Sequence, residues 1–114
     1  MGKIVVIALI GFLLDTSLAS AGALTKFEVE RGQVLAKRLC ANCHLVSGAQ
    51  QHANVDVPSF REIANKSAQS EGAIMARIVL PSHPMPEIPI TKQEITDLAA
   101  YIMSLRDSSV RPGP

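Results

Sequence analysis

The stretch "CANCH", Cys40 to His44, sets two thiols three positions apart and an imidazole directly after the second. Three kinds of chemistry use such a pair: a redox dithiol, half of a zinc site, and the attachment point of a c-type haem. Zinc takes four ligands, commonly Cys or His in two pairs. This chain has only two cysteines, and its other histidines, His52 and His83, stand apart without pair spacing. A thioredoxin-like dithiol opens a helix inside a βαβ unit, whereas here the motif follows a helical pattern and no β-rich run occurs. The haem reading asks for Cys-x-x-Cys-His in an exported chain. Two thiols at this spacing reach the two vinyl groups on one edge of a protoporphyrin, and the next residue turns its imidazole beneath the iron. On this reading Cys40 and Cys43 carry thioethers and His44 is the proximal iron ligand. The dithiol stays as the alternative.

The N-terminus meets the export condition. Lys3 supplies a positive start, Ile4 to Leu14 form an apolar run of eleven residues, and Ala19–Ser20–Ala21 offers small residues for cleavage. That order is a Sec-type signal peptide. Ala21–Gly22–Ala23 fits the same rule, so a cut after Ala23 competes with one after Ala21. An uncleaved anchor would need roughly 20 apolar residues, and Asp15 ends the run well short of that. The expectation is a signal peptide over residues 1–21 and a soluble periplasmic domain over 22–114.

Composition narrows the partners. Without Lys3 and Asp15 the chain keeps ten basic and nine acidic side chains, with no run of more than two like charges. Nothing in that pattern points to nucleic acid or to an anionic membrane surface. The mature aromatics are Phe27, Phe60 and Tyr101, with no Trp. A domain this small buries a modest fraction of its surface and usually needs a staple. Something beyond these three rings should fill the core.

The elements that position the motif are helical. Three stretches read Ser or Thr followed three residues later by Glu, the capping-box signature: "TKFE" from Thr25, "SFRE" from Ser59 and "TKQE" from Thr91. The first helix is expected to run to about Leu39, with Val29, Gly32, Ala36 and Leu39 on one small-to-apolar stripe. The second is short and ends near Asn65. The last places Ile95, Leu98, Ala99, Ile102 and Leu105 at helical spacing. A further helix covers Glu71 to Leu80 and stops at Pro81, while Val46 to Pro58 reads as a loop. The fold class is all-α. Glycine inside a helix costs about 1 kcal/mol relative to alanine, so Gly32 marks a close approach by another helix. Tyr101 is the body to fill that gap.

In this order the pieces resemble the class I cytochromes c, particularly the short bacterial ones. The resemblance covers roughly Lys26 to Arg106: Gly32 eight residues before Cys40, then "CANCH", "VPSF", "HPMPEI" and the closing "ITKQEITDLAAYIMSLR". It implies a cytochrome c fold of about four helices around one covalent haem c, with the N- and C-terminal helices crossing at Gly32 and Tyr101. It also implies that the Pro58 carbonyl accepts a hydrogen bond from the free ring nitrogen of His44. Three features depart from the family. The aromatic that often follows the first-helix glycine by four positions is Ala36 here, and the tryptophan and lysine-rich docking face of mitochondrial-type members are absent.

For the sixth ligand the resemblance marks Met85. Met75 and Met103 fall inside helical patterns, where methionine is usually core filler. Met85 instead stands in "PSHPMPEIP", where Pro81, Pro84, Pro86 and Pro89 fall within nine residues. Each proline fixes its own φ and restricts the residue before it, which suits a weakly binding thioether. His83 is the rival, and a bis-His haem would have the lower potential; His52, in a polar loop, reads as exposed. Together these features predict a non-enzymatic one-electron carrier exchanging electrons with redox proteins, as a monomer or as the cytochrome subunit of a periplasmic dehydrogenase or oxidase. A haem sensor or peroxidase-like enzyme would need an easily vacated sixth position, against which the proline frame of Met85 speaks.

Overall fold

The computed structural model describes residues 17–53, 56–82 and 84–108. These hold four α-helices and no strand: α1 (Ser17–Leu39), α2 (Phe60–Ala64), α3 (Glu71–Val79) and α4 (Lys92–Ser104). The all-α expectation therefore holds. Residues 1–16, which carry most of the expected signal peptide, lie outside the described residues.

Two of the three expected helix starts form as reciprocal capping boxes. At α2 the Ser59 hydroxyl accepts the Glu62 N–H at 3.1 Å, and the Glu62 carboxylate accepts the Ser59 N–H at 2.6 Å. At α4 Thr91 and Glu94 repeat the arrangement, at 3.2 and 2.9 Å. Each box satisfies donors that the first turn of a helix cannot pair internally, a stabilisation of about 1 kcal/mol per cap. Ser70 caps α3 through the Ala73 N–H, and α3 closes at Leu80, directly before Pro81.

The third start is a correction. α1 does not begin at a Thr25 cap but eight residues earlier, at Ser17, and runs through Thr25 and through both candidate cleavage positions, Ala21 and Ala23. The reason is local. The residues just before Thr25 include Leu18, Ala19, Ala21, Ala23 and Leu24, the strongest helix formers, and contain no proline to stop the helix. With that segment attached, Thr25 is an interior position.

α1 and α4 form the main helix–helix contact. Gly32 makes it possible. A Cβ on Gly32 would lie 2.6 Å from the Asp97 carbonyl carbon and 2.7 Å from the Tyr101 Cβ, distances at which backbone has to move. Around this point Leu35, Ala36, Leu98, Ala99, Tyr101 and Ile102 are buried, joined from the other elements by Val46, Phe60, Ala64 and Ile74. Of the stripe expected on α1, Ala36 is fully buried and Val29 and Leu39 pack against the core. Phe27, by contrast, is largely exposed.

Beside the glycine sits a charge pair that the apolar stripe does not announce. Asp97 is 2% exposed, and Arg31 grips it with both arms of its guanidinium: Nε to Oδ2 and Nη2 to Oδ1, each at 2.7 Å. Gln93 donates to Oδ1 at 3.0 Å. The hydrogen bonds from Arg31 hold the Asp97 carboxyl below the usual carboxylate range, against burial, which pushes the other way. A bidentate fork fixes register as well as supplying attraction, so Arg31 and Asp97 lock the rotation of α1 on α4. Arg38 and Glu94 add a looser contact at 3.6 Å, of the exposed kind worth little.

Two expectations follow for stability. Gly32→Ala gains helix propensity yet loses about 1–3 kcal/mol from overpacking, and Gly32→Val loses more. A lowered denaturant midpoint at unchanged m-value is the expected result. Asp97 has a folded-state pKa below its unfolded value of about 3.9, so its contribution is complete above that pH and disappears as pH falls through the folded value. The stability gap between wild type and Asp97→Asn, measured by denaturant titration, should be constant near neutrality and close below about pH 4.

Candidate haem site

The CANCH turn grows directly out of the end of α1. Cys40 N–H still bonds to the Ala36 carbonyl at 2.9 Å, and the Cys40 carbonyl then accepts both Cys43 N–H (3.1 Å) and His44 N–H (2.9 Å). The motif is thus one tight turn wound on a single carbonyl. Both thiols are free, Cys40 half-buried against the core and Cys43 exposed. Burial, with Cys43 adding a smaller effect, pushes the Cys40 thiol up to about 11. A thiol–disulfide catalyst needs the opposite, a thiolate stabilised near neutral pH. The dithiol alternative is therefore disfavoured by the environment of its first cysteine.

His44 is half-buried, and its ring is held by Pro58 and Phe60. Its Nδ1 lies 2.7 Å from the Pro58 carbonyl oxygen. A carbonyl can only accept, so Nδ1 carries the proton and Nε2 keeps the lone pair that a metal requires. The Pro58 carbonyl is available for a structural reason. Ser59 caps α2 and its own carbonyl takes the first intrahelical bond, from Ile63 N–H, which leaves the carbonyl before it outside the ladder. The Phe60 ring packs at 5.4 Å from the imidazole and meets Tyr101 edge-on at 6.3 Å. Such aromatic pairs contribute about 0.5–1.5 kcal/mol beyond their burial. Phe60 N–H also bonds to the Leu45 carbonyl at 3.0 Å, and the buried Tyr101 hydroxyl donates to the Val46 carbonyl at 2.6 Å.

Met85 stands between α3 and α4, half-buried, in a turn closed by its N–H on the Ser82 carbonyl at 3.0 Å. Met75 and Met103 sit on α3 and α4 and pack against the core. His52 is exposed, and His83 lies outside the described residues. Among the described residues no three His, Cys, Asp or Glu side chains come together to hold a metal ion. The donor set suits a porphyrin iron instead: two free thiols on one turn and an imidazole with its tautomer fixed.

Sequence reasoning passed over one residue of this region. Gln50, in the stretch read as a loop, reaches back with its side-chain amide to the backbone of Ala41, His44 and Val46. A polar residue in an aperiodic segment carries no pattern by which to single it out. Asp97 did leave a signal: four positions before Tyr101, it falls on the face that meets Gly32.

The family model described as Cytochrome c matches residues 29–106. The chain is also similar to cytochrome c-552 of Bradyrhizobium diazoefficiens, with 38% identity over 94 residues, covering 82% of this chain and 89% of that one. No solved structure matches significantly. The matched segment takes in the CANCH turn, the α1–α4 crossing and the Met85 turn, and on these grounds the chain belongs to the cytochrome c family, as a class I electron-transfer protein with one covalently attached haem c.

Proposed function

We propose that the chain is exported to the periplasm, loses residues 1–21 or 1–23, and works there as a freely diffusing one-electron carrier with His/Met-ligated iron. Cys40 and Cys43 hold the haem through thioethers, His44 is the proximal ligand through Nε2, and Met85 is the distal ligand. The observation that carries this reading is the bond from His44 Nδ1–H to the Pro58 carbonyl. A hydrogen bond to the far nitrogen of a ligating histidine fixes tautomer and ring plane and raises ligand basicity.

When bound, the haem supplies the one-electron chemistry by exchanging its iron between the ferric and ferrous states. The protein's part is to keep its geometry fixed during that exchange. His44 is pinned by Pro58 and packed on Phe60, so the imidazole has no second orientation to relax into. Met85 is confined by the prolines on either side of it, Pro84 and Pro86. With His44 and Met85 both holding the iron, no position would be left open for a substrate. That supports electron exchange with partner proteins over catalysis. Among the described residues no helix is long and apolar enough to cross a membrane.

Intact mass of the purified product tests attachment and processing together. The expected mass is that of residues 22–114, or of 24–114, plus one haem that survives denaturation and acid–acetone extraction. An extractable haem, or a product still carrying Met1, contradicts the corresponding half of the proposal.

The axial assignment has its own test. Met85→Ala should abolish the weak long-wavelength sulfur–iron charge-transfer band of the ferric protein, lower the reduction potential, and admit cyanide to the iron. His83→Ala should leave all three properties as in wild type. The reverse pattern would establish a bis-His site and a lower potential than Met/His ligation gives.

A further inference from the structure

The backbone around His44 is tied down by a side chain that neither ligates nor lines the helix crossing. Gln50 Oε1 accepts the Val46 N–H at 3.0 Å. Its Nε2 lies 2.9 Å from the Ala41 carbonyl, 3.0 Å from the His44 carbonyl and 2.7 Å from the His52 carbonyl. An amide nitrogen has two hydrogens, so three carbonyls share two protons. The amide orientation is unambiguous, because one end faces only acceptors and the other faces a donor. One planar group thereby joins the turn that carries the cysteines, the carbonyl of the histidine, the backbone just after it and the loop at His52.

Its neighbours in this task come from other elements. Phe60 N–H holds the Leu45 carbonyl, and the Tyr101 hydroxyl holds the Val46 carbonyl. Pro58 and Phe60 control the imidazole itself. Gln50 is the member of the set that grips the backbone on both sides of the histidine. We infer that Gln50 is a positioning residue for the proximal ligand, setting the plane of the His44 imidazole by fixing the Ala41–Val46 backbone that carries it. The inference rests on the assignment of His44 as proximal ligand.

The role differs from general loop stability in what it predicts. A residue that only braces the loop changes the denaturant midpoint. A residue that sets the imidazole plane also changes how unpaired spin is distributed around the porphyrin in the ferric protein. Proton NMR reads this as the spread of the hyperfine-shifted ring-methyl resonances.

Gln50→Met removes all four contacts at nearly constant volume, and Gln51→Met, at the exposed neighbour, is the control. In the holoprotein, Gln50→Met should keep its haem through acid–acetone extraction and keep the sulfur–iron band, while its ring-methyl resonances move away from the wild-type pattern. Gln51→Met should match wild type. Should Gln50→Met yield no holoprotein, Gln50→Asn is read instead, and a resonance displacement in that variant supports the role. A wild-type resonance pattern in Gln50→Met, or in Gln50→Asn where that is the variant read, overturns it, even with a lowered midpoint. His44→Ala separates the two levels of the argument. If it loses the wild-type low-spin ferric spectrum while the Gln50 variant keeps the wild-type pattern, this inference alone fails. If His44→Ala keeps that spectrum, the ligand assignment fails and takes the Gln50 role with it.

Discussion

The close approach of α1 to α4 at Gly32 is the constraint on which the rest of the site depends. With no Cβ at position 32, the backbone of Asp97 and the Cβ of Tyr101 come within distances that any other residue would forbid. Tyr101 is thereby buried, and its ring leans on Phe60 while its hydroxyl reaches the Val46 carbonyl. Phe60 in turn packs on the His44 imidazole, and the carbonyl of the residue two before it, Pro58, accepts the hydrogen bond from the imidazole Nδ1–H. A contact between two helices is transmitted to the proposed iron ligand through two rings and two hydrogen bonds. The Arg31–Asp97 fork makes the crossing single-valued: a rotation of either helix would leave a buried carboxylate without its cation.

What was legible in the sequence follows from which physical rules are local. A capping box needs only two residues three apart, so Ser59 with Glu62 and Thr91 with Glu94 could be read directly, and both form. The crossing was legible because a glycine within a helical stripe has few other uses, and Tyr101 lies on the matching face. The Thr25 cap failed for a reason equally local. A cap works only where the chain before it leaves the helix, and the alanines and leucines ahead of Thr25 do not leave. The resemblance, not periodicity, supplied the pairing of His44 with Pro58, since a bond across fourteen residues leaves no trace in spacing. Gln50 was illegible on both counts. Its contacts are with backbone carbonyls, which every residue has, so no partner residue type advertises them.

The two faces proposed for the iron are built on different principles, and ligand strength explains why. Around His44 the chain uses hydrogen bonds in number: the ring donates to Pro58, the Gln50 amide bonds the flanking backbone, and Phe60 N–H and the Tyr101 hydroxyl donate to the next two carbonyls. Every partner in that shell is supplied by the chain's own residues. Around Met85 the chain cannot do the same. Four of the nine residues from Pro81 to Pro89 are prolines and have no N–H to donate. Order there comes from restricted φ, together with a backbone bond from Met85 N–H to the Ser82 carbonyl. A thioether gains little from ligation, so the segment that presents it must have little entropy to lose when it binds. Proline lowers that entropy in the unbound chain as well, which a hydrogen bond broken and remade on each opening does not. Hydrogen bonds serve the strong ligand, whose direction has to be set, and prolines serve the weak one, whose freedom has to be removed beforehand.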